Sequence, residues 1–500
     1  MNGWDDRTVA PAACHNNTCM RKALCLHPLF IIAMSVYVLL CAPVSAQMAG
    51  VGKGFIGSAI EQGRVAARLI TNKGQIPAVS IAVVINDEMV WSEAFGYADL
   101  ELRAPAAAVT RFRIASISKA FTGTLVAKLV EAGKLDLDTR IRSIDPGLPE
   151  HYDAVTVRDL ARHTAGVRHY ATGEIAVPDY YETLEDALEV FINDPLLNEP
   201  GEAYNYSTYG YTLLGHVIEK ATGMSYFDAL RENILEPLGL STVALDHRYF
   251  IRPDRSKFYE WRREYGVINA QPLDNSVKYP GGGLLSNAED VARFGAAVAS
   301  PGFLQARTLE DMLAPTVLRS GQVVDYGAGW TLRRDGRGRS VYGHSGRQPG
   351  VRAQLYVYPA SGVSIATLSN MSNSSIGFDE FQVLTEPFVE FAEGRSFEPA
   401  SIDPVGVYEI EIIRDEPIKA TLDIWQREQD GGLSGSIRLN QNGSRFMMPS
   451  VVVNGKRIRV IGFTVGQLID LDFVLGANGV GEGTAMVGDR VPLTVTRRHE

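Results

Sequence analysis

The sequence predicts an α+β chain in which an antiparallel sheet flanked by helices is interrupted by a helical insertion and followed by a small all-β domain. Three observations carry this reading. Strand-type apolar alternation occurs at 79–95 and returns at 341–369. The stretch between, from 120 to 275, is patterned mostly for helices and loops. Beyond Pro399 the composition turns to short alternating runs separated by turn dipeptides.

In chain order, the 3.6-residue period predicts a helix from Ile56 to Thr71. Val79 to Ile85 and Met89 to Phe95 then alternate around Asn86-Asp87-Glu88 as a β-hairpin. Phe112 to Ala115 reads as a short extended run leading into Ser116. Ala120, Leu125, Val126, Leu129 and Val130 form a helical stripe that stops near Gly133. Further helices are expected at Val157 to Ala161 and Tyr209 to Thr222. Strands follow at Val341 to Gly343, Val351 to Tyr358 and Val363 to Ser369, then a helix from Phe378 to Phe391. In the last hundred residues Asp430-Gly431-Gly432, Asn442-Gly443, Asn454-Gly455 and Asn478-Gly479 each mark a reversal, which predicts a small antiparallel barrel or sandwich over 400–500.

A chain of 500 residues with 45% hydrophobic content is long enough for two domains, expected here at 47–395 and 400–500. The formal charge of −10 and the lack of a long basic run argue against a nucleic-acid partner. Arg21-Lys22, an apolar run from Leu29 to Leu40 and the small residues up to Ala46 read as a secretory signal peptide over 1–46. Met20 opens a more regular signal than Met1, since residues 1–19 hold Asp5 and Asp6 and no apolar pattern. The apolar run is short for a membrane span, so the expectation is an exported protein, periplasmic or extracellular, without a stable span once the signal is removed. Cys14, Cys19, Cys25 and Cys41 all fall within the signal, which leaves no disulfide framework and no thiol nucleophile. No histidine pair stands at metal-ligand spacing, so neither metal nor cofactor is called for.

The chemistry is expected at Ser116-Ile117-Ser118-Lys119. Residues three apart on a helix share a face, so the Lys119 amine can lie beside the Ser116 hydroxyl. A lysine taken out of water loses its proton more easily and can then serve as a base. Two further patches stand in order along the chain. Tyr206-Ser207-Thr208 leads into a helix, and His344-Ser345-Gly346 closes a short strand before a turn at Pro349-Gly350.

With these motifs in this order, the chain resembles the serine β-lactamase and D-Ala-D-Ala carboxypeptidase superfamily, of class C-like type, from about residue 52 to about 393. Phe95-Gly96-Tyr97-Ala98-Asp99, His163-Thr164-Ala165-Gly166, Gly281-Gly282-Gly283-Leu284-Leu285-Ser286 and Tyr326-Gly327-Ala328-Gly329-Trp330 look like further landmarks in family order. The pattern is most similar to the serine β-lactamase-like protein group. The resemblance implies a β-lactamase/transpeptidase-like fold with a lipocalin-like extension, and an acyl-enzyme mechanism. In it Ser116 is the nucleophile, Lys119 and Tyr206 share the acid and base work, and His344 lines the opposite wall. Thr208, Ser345, Gly346, Arg347 and Arg352 are the expected substrate contacts, with the N–H groups of Ser116 and Arg347 as the oxyanion hole. The chain departs from the family pattern at His344, where lysine is frequent, and at Thr208, where asparagine is usual. Histidine offers a β-lactam or peptide carboxylate no permanent charge, and threonine lacks the amide that could donate to a substrate carbonyl and fix the lysine. A peptidase or esterase is therefore expected ahead of a β-lactamase, with a slow-turnover penicillin sensor or a filament-type structural protein as the remaining alternatives. His163 and His169 read as loop structure.

Overall fold

Asn86 and Asp87 carry the chain through two left-handed residues, with φ of 48° and 66°, and this two-residue turn joins β1 (Ala78–Ile85) to β2 (Glu88–Asp99) as a hairpin. The computed structural model describes residues 52–498 apart from 177–178, 373–377, 395–397, 399, 428–431, 449, 464–467 and 488. The expected signal peptide, all four cysteines and the reversal at Asp430-Gly431 lie outside the described residues. No described helix is long and apolar enough to cross a membrane.

Before the hairpin comes α1 (Gly52–Gly74). After it, β3 (Ala104–Pro105) is a two-residue edge, and β4 (Phe112–Arg113) leads through a 3-10 turn, Ala115–Ile117, into α2 (Ser118–Glu131). Within the helical insertion, α3 (Val157–Ala161) begins with a Thr156/Asp159 capping box and α4 (Thr208–Thr222) is capped by Ser207. The chain returns through β5 (Leu284–Ser286), which pairs with β4, and α5 (Ala288–Ala299). It then lays down β6 (Thr331–Arg334), β7 (Ser340–Gln348), β8 (Val351–Tyr358), β9 (Val363–Ser369) and α6 (Phe378–Ala392). The main sheet runs β6-β7-β8-β9-β1-β2-β3, and every adjacent pair is antiparallel.

Strand β1 shows why the sheet lies between two helical layers. All eight of its residues are buried, and side chains alternate between faces with period two. Val79, Ile81, Val83 and Ile85 pack with Ala67, Ile70, Leu384 and Phe388 of α1 and α6, where Trp91 stacks on Phe388 at 5.4 Å. Ala78, Ala82 and Val84 face the other core, built around Phe121, Phe294 and the insertion.

The last hundred residues hold nine antiparallel strands in one sheet with its own apolar core of Tyr408, Leu422, Ile437, Leu471 and Val495, among others. The two outermost strands, Arg445–Met448 and Ser450–Asn454, follow each other directly in sequence. A single residue cannot cross a flat nine-stranded sheet, so the sheet curls until its edges meet. Ile461 and Met486 from this barrel pack with Val383 and Phe388. An ion-pair network lies beside them. Arg337 reaches Glu386 at 2.8 Å, Glu390 at 3.2 Å and Asp472 at 3.0 Å, and Arg457 reaches Glu390 at 2.8 Å.

We propose that 400–500 is a separable domain. Deleting it is expected to leave one cooperative calorimetric transition, lowered by several degrees because Val383, Phe388 and the Glu386/Glu390 pair lose their cover. Disappearance of that transition would mean that the two regions share one core.

Two local expectations are corrected. Ser116, expected on one helix with Lys119, lies in the 3-10 turn that precedes α2. The 344–346 motif does not end its strand, since β7 continues to Gln348. The strand holds there because it pairs along its length with β8 and because Gly346 has no side chain. A Cβ at that position would meet the Ile114 carbonyl at 2.3 Å.

Candidate active site

Ser116 is positioned from both sides. The Ile114 N–H donates to the Leu284 carbonyl at 3.0 Å on one flank, and Gly346 of β7 presses against Ile114 and Ala115 on the other. Ala115, directly before the serine, has φ of 47°, a left-handed conformation that costs a non-glycine residue about 1 to 3 kcal/mol and must be held by its surroundings. The neighbouring Ser118 is already committed. Its hydroxyl donates to the Ala115 carbonyl at 2.7 Å and accepts from the Leu284 N–H at 3.2 Å. Ser116 is the serine of this tetrad that faces the cleft.

The Lys119 ammonium position is fully buried without a carboxylate. Its Nζ lies 3.4 Å from Ser116 Oγ, 3.1 Å from Thr208 Oγ1 and 2.6 Å from the Gly281 carbonyl. Burial, with the charge of Lys278 added to it, holds the amine well below its ordinary pKa, so the neutral base is the form this site favours. Position 281 needs glycine, because a Cβ there would sit 2.7 Å from the Thr208 methyl and push the carbonyl off Lys119.

Tyr206 stands directly before the α4 cap Ser207, whose hydroxyl accepts from the Gly210 N–H at 2.8 Å and donates to the Arg168 carbonyl at 2.6 Å. The Tyr206 ring lies over Lys119 Nζ at 4.7 Å, and its hydroxyl shares a hydrogen bond with Ser116. Burial raises its pKa, so it stays a neutral phenol. His344, on β7, is buried opposite. Burial and the neighbouring Lys119 lower its pKa to about 3, so this ring is uncharged.

Ser116, Tyr206 and His344 line a cleft of about 300 Å³ that also takes in Thr208, Ser345 and Arg347, while Lys119 does not line it and is buried against Ser116 and Thr208. Of the expected substrate contacts, Gly346 and Arg352 do not line it. Gly346 serves the close approach described above, and Arg352 stands across from Arg347 in the register, one strand further from Ser116. A larger groove of about 1190 Å³ lies behind α2, between Val126, Val130, Leu137 and Met312, and none of the expected site residues lines it. Among the described residues no cluster of His, Cys, Asp or Glu is grouped to hold a metal ion.

The structure adds residues to the site. His169, expected to be loop structure, lines the cleft. The Thr208 N–H donates to its Nδ1 at 3.2 Å, and burial beside Lys119 and Lys278 takes its pKa to about 4. His163 holds the Ser207 N–H at 3.1 Å and touches Tyr326, which also lines the cleft. Lys278 is buried with its Nζ on the Ile175 carbonyl at 2.7 Å and over the Tyr170 ring, and burial brings its pKa to about 7. Tyr326 and His163 stand inside landmarks visible in the sequence. Lys278 had only one signal, its place three residues before Gly281.

The chain is similar to known proteins in sequence and in fold. A family model described as Beta-lactamase matches residues 59–381. The human mitochondrial serine beta-lactamase-like protein LACTB is 27% identical over 445 residues, covering 68% of this chain and 80% of its own. Matches to the mouse and bovine proteins of that name cover 64% and 56% of their lengths. Among solved structures, the octameric penicillin-binding protein homologue from Pyrococcus abyssi aligns with a TM-score of 0.56 at 22% identity, over 87% of this chain and 99% of its own. The D-amino acid amidase from Ochrobactrum anthropi SV3 aligns with a TM-score of 0.56 at 24% identity, over 66% of this chain and 98% of its own.

Proposed function

The chain belongs to the Beta-lactamase family and is a serine hydrolase, and from that premise we propose that it cleaves uncharged peptide amides or esters through an acyl-enzyme on Ser116. The observation that carries this reading is Lys119, a buried amine with only neutral partners, 3.4 Å from the Ser116 hydroxyl. As Ser116 Oγ attacks the carbonyl carbon, its proton passes to Lys119 Nζ and the carbonyl electron pair moves onto oxygen, facing the N–H groups of Ser116 and Arg347. Collapse breaks the bond to the leaving group, which receives a proton through Tyr206. Water then attacks the acyl-enzyme along the same path in reverse order. A tyrosine kept as a neutral phenol can deliver a proton but is a poor first base, which divides the work between the two residues.

The substrate side rests on His344. A ring that burial keeps neutral gives a carboxylate no cation, so β-lactams and C-terminal carboxylates are the weaker substrates. The amidase fold neighbour fits an amide substrate. For residues 1–46, the basic, apolar and small-residue pattern supports export to a periplasm or beyond the cell.

Burst kinetics on a neutral ester, a D-amino-acid amide and a cephalosporin test the proposal. Continued turnover of the first two with slow cephalosporin turnover is expected. A single stoichiometric burst on all three would make the protein a sensor, and preferential cephalosporin turnover would make it a β-lactamase. His344→Lys sharpens the comparison. One charge-assisted hydrogen bond is worth roughly 1.5 to 3 kcal/mol, so the kcat/KM ratio of cephalosporin to neutral ester should rise by about one to two powers of ten. An unchanged ratio in a folded variant would remove position 344 as the determinant of preference.

A further inference from the structure

Tyr326 is the centre of a hydrogen-bond chain whose direction its end groups decide. At one end the Ser207 N–H donates to His163 Nδ1 at 3.1 Å. A backbone N–H can only donate, so this nitrogen carries no proton and the neutral ring keeps its proton on Nε2. His163 Nε2 therefore donates to Tyr326 Oη, 3.2 Å away. At the other end His344 Nδ1 lies 2.7 Å from the Ser345 carbonyl, which can only accept, so Nδ1 holds the proton. In a neutral ring Nε2 is then an acceptor, and it lies 3.2 Å from Tyr326 Oη. His344 Nε2 is thus an acceptor in place for the phenolic proton of Tyr326.

We propose that Tyr326 is a positioning residue that fixes His344 as a neutral, Nδ1-protonated ring and thereby sets the site's preference for uncharged acyl donors. This rests on the function proposed above. The Nε2 lone pair is the one place where His344 could gain a proton, and the Tyr326 hydroxyl fills it. The Ser345 carbonyl on Nδ1 favours a charged ring, and the other groups that face His344 oppose or ignore a further charge. Arg333 on β6 acts as a like charge, as does Lys119 on α2 whenever it holds the proton taken from Ser116, and Tyr206 presents a neutral ring at 6.2 Å. Around Tyr326 itself stand His163, Tyr204 and Tyr211, all uncharged, and burial holds both tyrosines and His163 in that form. Tyr211 offers the Tyr326 hydroxyl its one other acceptor, since its own proton goes to the Ala161 carbonyl at 2.7 Å. A protonated His344 would need the Tyr326 hydroxyl to turn to Tyr211 and accept from both histidines, leaving a buried cation beside Lys119.

The direct test is the tautomer of His344, read by long-range 1H–15N correlation in protein labelled at histidine. The wild type should show Nδ1 protonated, Nε2 bare and no titration from about pH 8 to about pH 5.5. A proton on Nε2, or ordinary titration, would overturn the proposal whatever the enzyme acts on. In Tyr326→Phe, Nε2 loses its donor and the neutral form its support, so the titration should move up into that window. The kcat/KM ratio of a carboxylate-bearing to a neutral substrate should then rise about tenfold across it as pH falls, while the wild-type ratio stays flat. Adding His344→Asn to Tyr326→Phe should abolish the rise. A folded Tyr326→Phe with an unchanged His344 spectrum and a flat ratio would refute the proposal. If the wild type turns over neither substrate, the functional reading fails while the spectra still decide the tautomer.

Discussion

Ser116→Ala is expected to abolish labelling by a fluorophosphonate probe and to lower kcat/KM by at least about three powers of ten, since the removed oxygen is the attacking atom. The fold should survive. Ser116 caps neither the turn nor α2, the hydroxyl bonds to the Ala115 carbonyl and the Leu284 N–H belong to Ser118, and alanine fits the turn as well as serine does. Circular dichroism and the melting curve should match wild type. Labelling that persists in the folded variant would place the nucleophile elsewhere and end the mechanism drawn here.

Lys119→Met should move activity and stability in opposite directions. Methionine has nearly the length of the lysine stem and no base, so kcat/KM should fall by about two to four powers of ten. Its stability effect follows from linkage. The folded-state pKa of Lys119 lies below its unfolded value, so the unfolded chain binds a proton that the folded chain does not. Wild-type stability therefore falls as pH drops from the ordinary lysine range toward the depressed folded pKa. Methionine escapes this, so the variant should melt higher than wild type, by most at neutral pH and by less near about pH 10. Equal gains at both pH values would mean that Lys119 is charged in the folded protein.

What could be read in advance divides along physical lines. Strands Val351–Tyr358 and Val363–Ser369 fall where their alternation places them, as does the short helix Val157–Ala161. Local pattern suffices for the two strands, short apolar runs bounded by turn residues, which the sheet buries along nearly their whole length. It failed at His344-Ser345-Gly346, where glycine reads as a strand end but here permits contact with Ile114, a residue 232 positions earlier whose approach no local window contains. The reversal at Asn454-Gly455 shifted by one for a similar reason. Asn454 pairs with Arg457, so Gly455 and Lys456 form the turn, while the Asn454 side chain accepts from the Glu398 N–H at 2.6 Å. Within the site, the tetrad and Tyr206 could be inferred from spacing and order. Lys278 could not, because a lysine in sequence gives no sign of being buried, and the route from His163 through Tyr326 to His344 joins three segments that only the fold brings together.

The borders of the main sheet bear on how copies of this protein can associate. One border is β3, two residues long and ending in Pro105, which has no N–H to offer a new strand. The other is β6, four residues that include Arg333 and Arg334, so two copies meeting there would bring like charges together. The C-terminal sheet brings its two outer strands around to each other. Backbone templating along these sheets is thus discouraged on each side, and any polymer or ring this chain builds has to be held by side-chain surfaces, which makes its assembly sensitive to point substitution on helices and loops and insensitive to the strands.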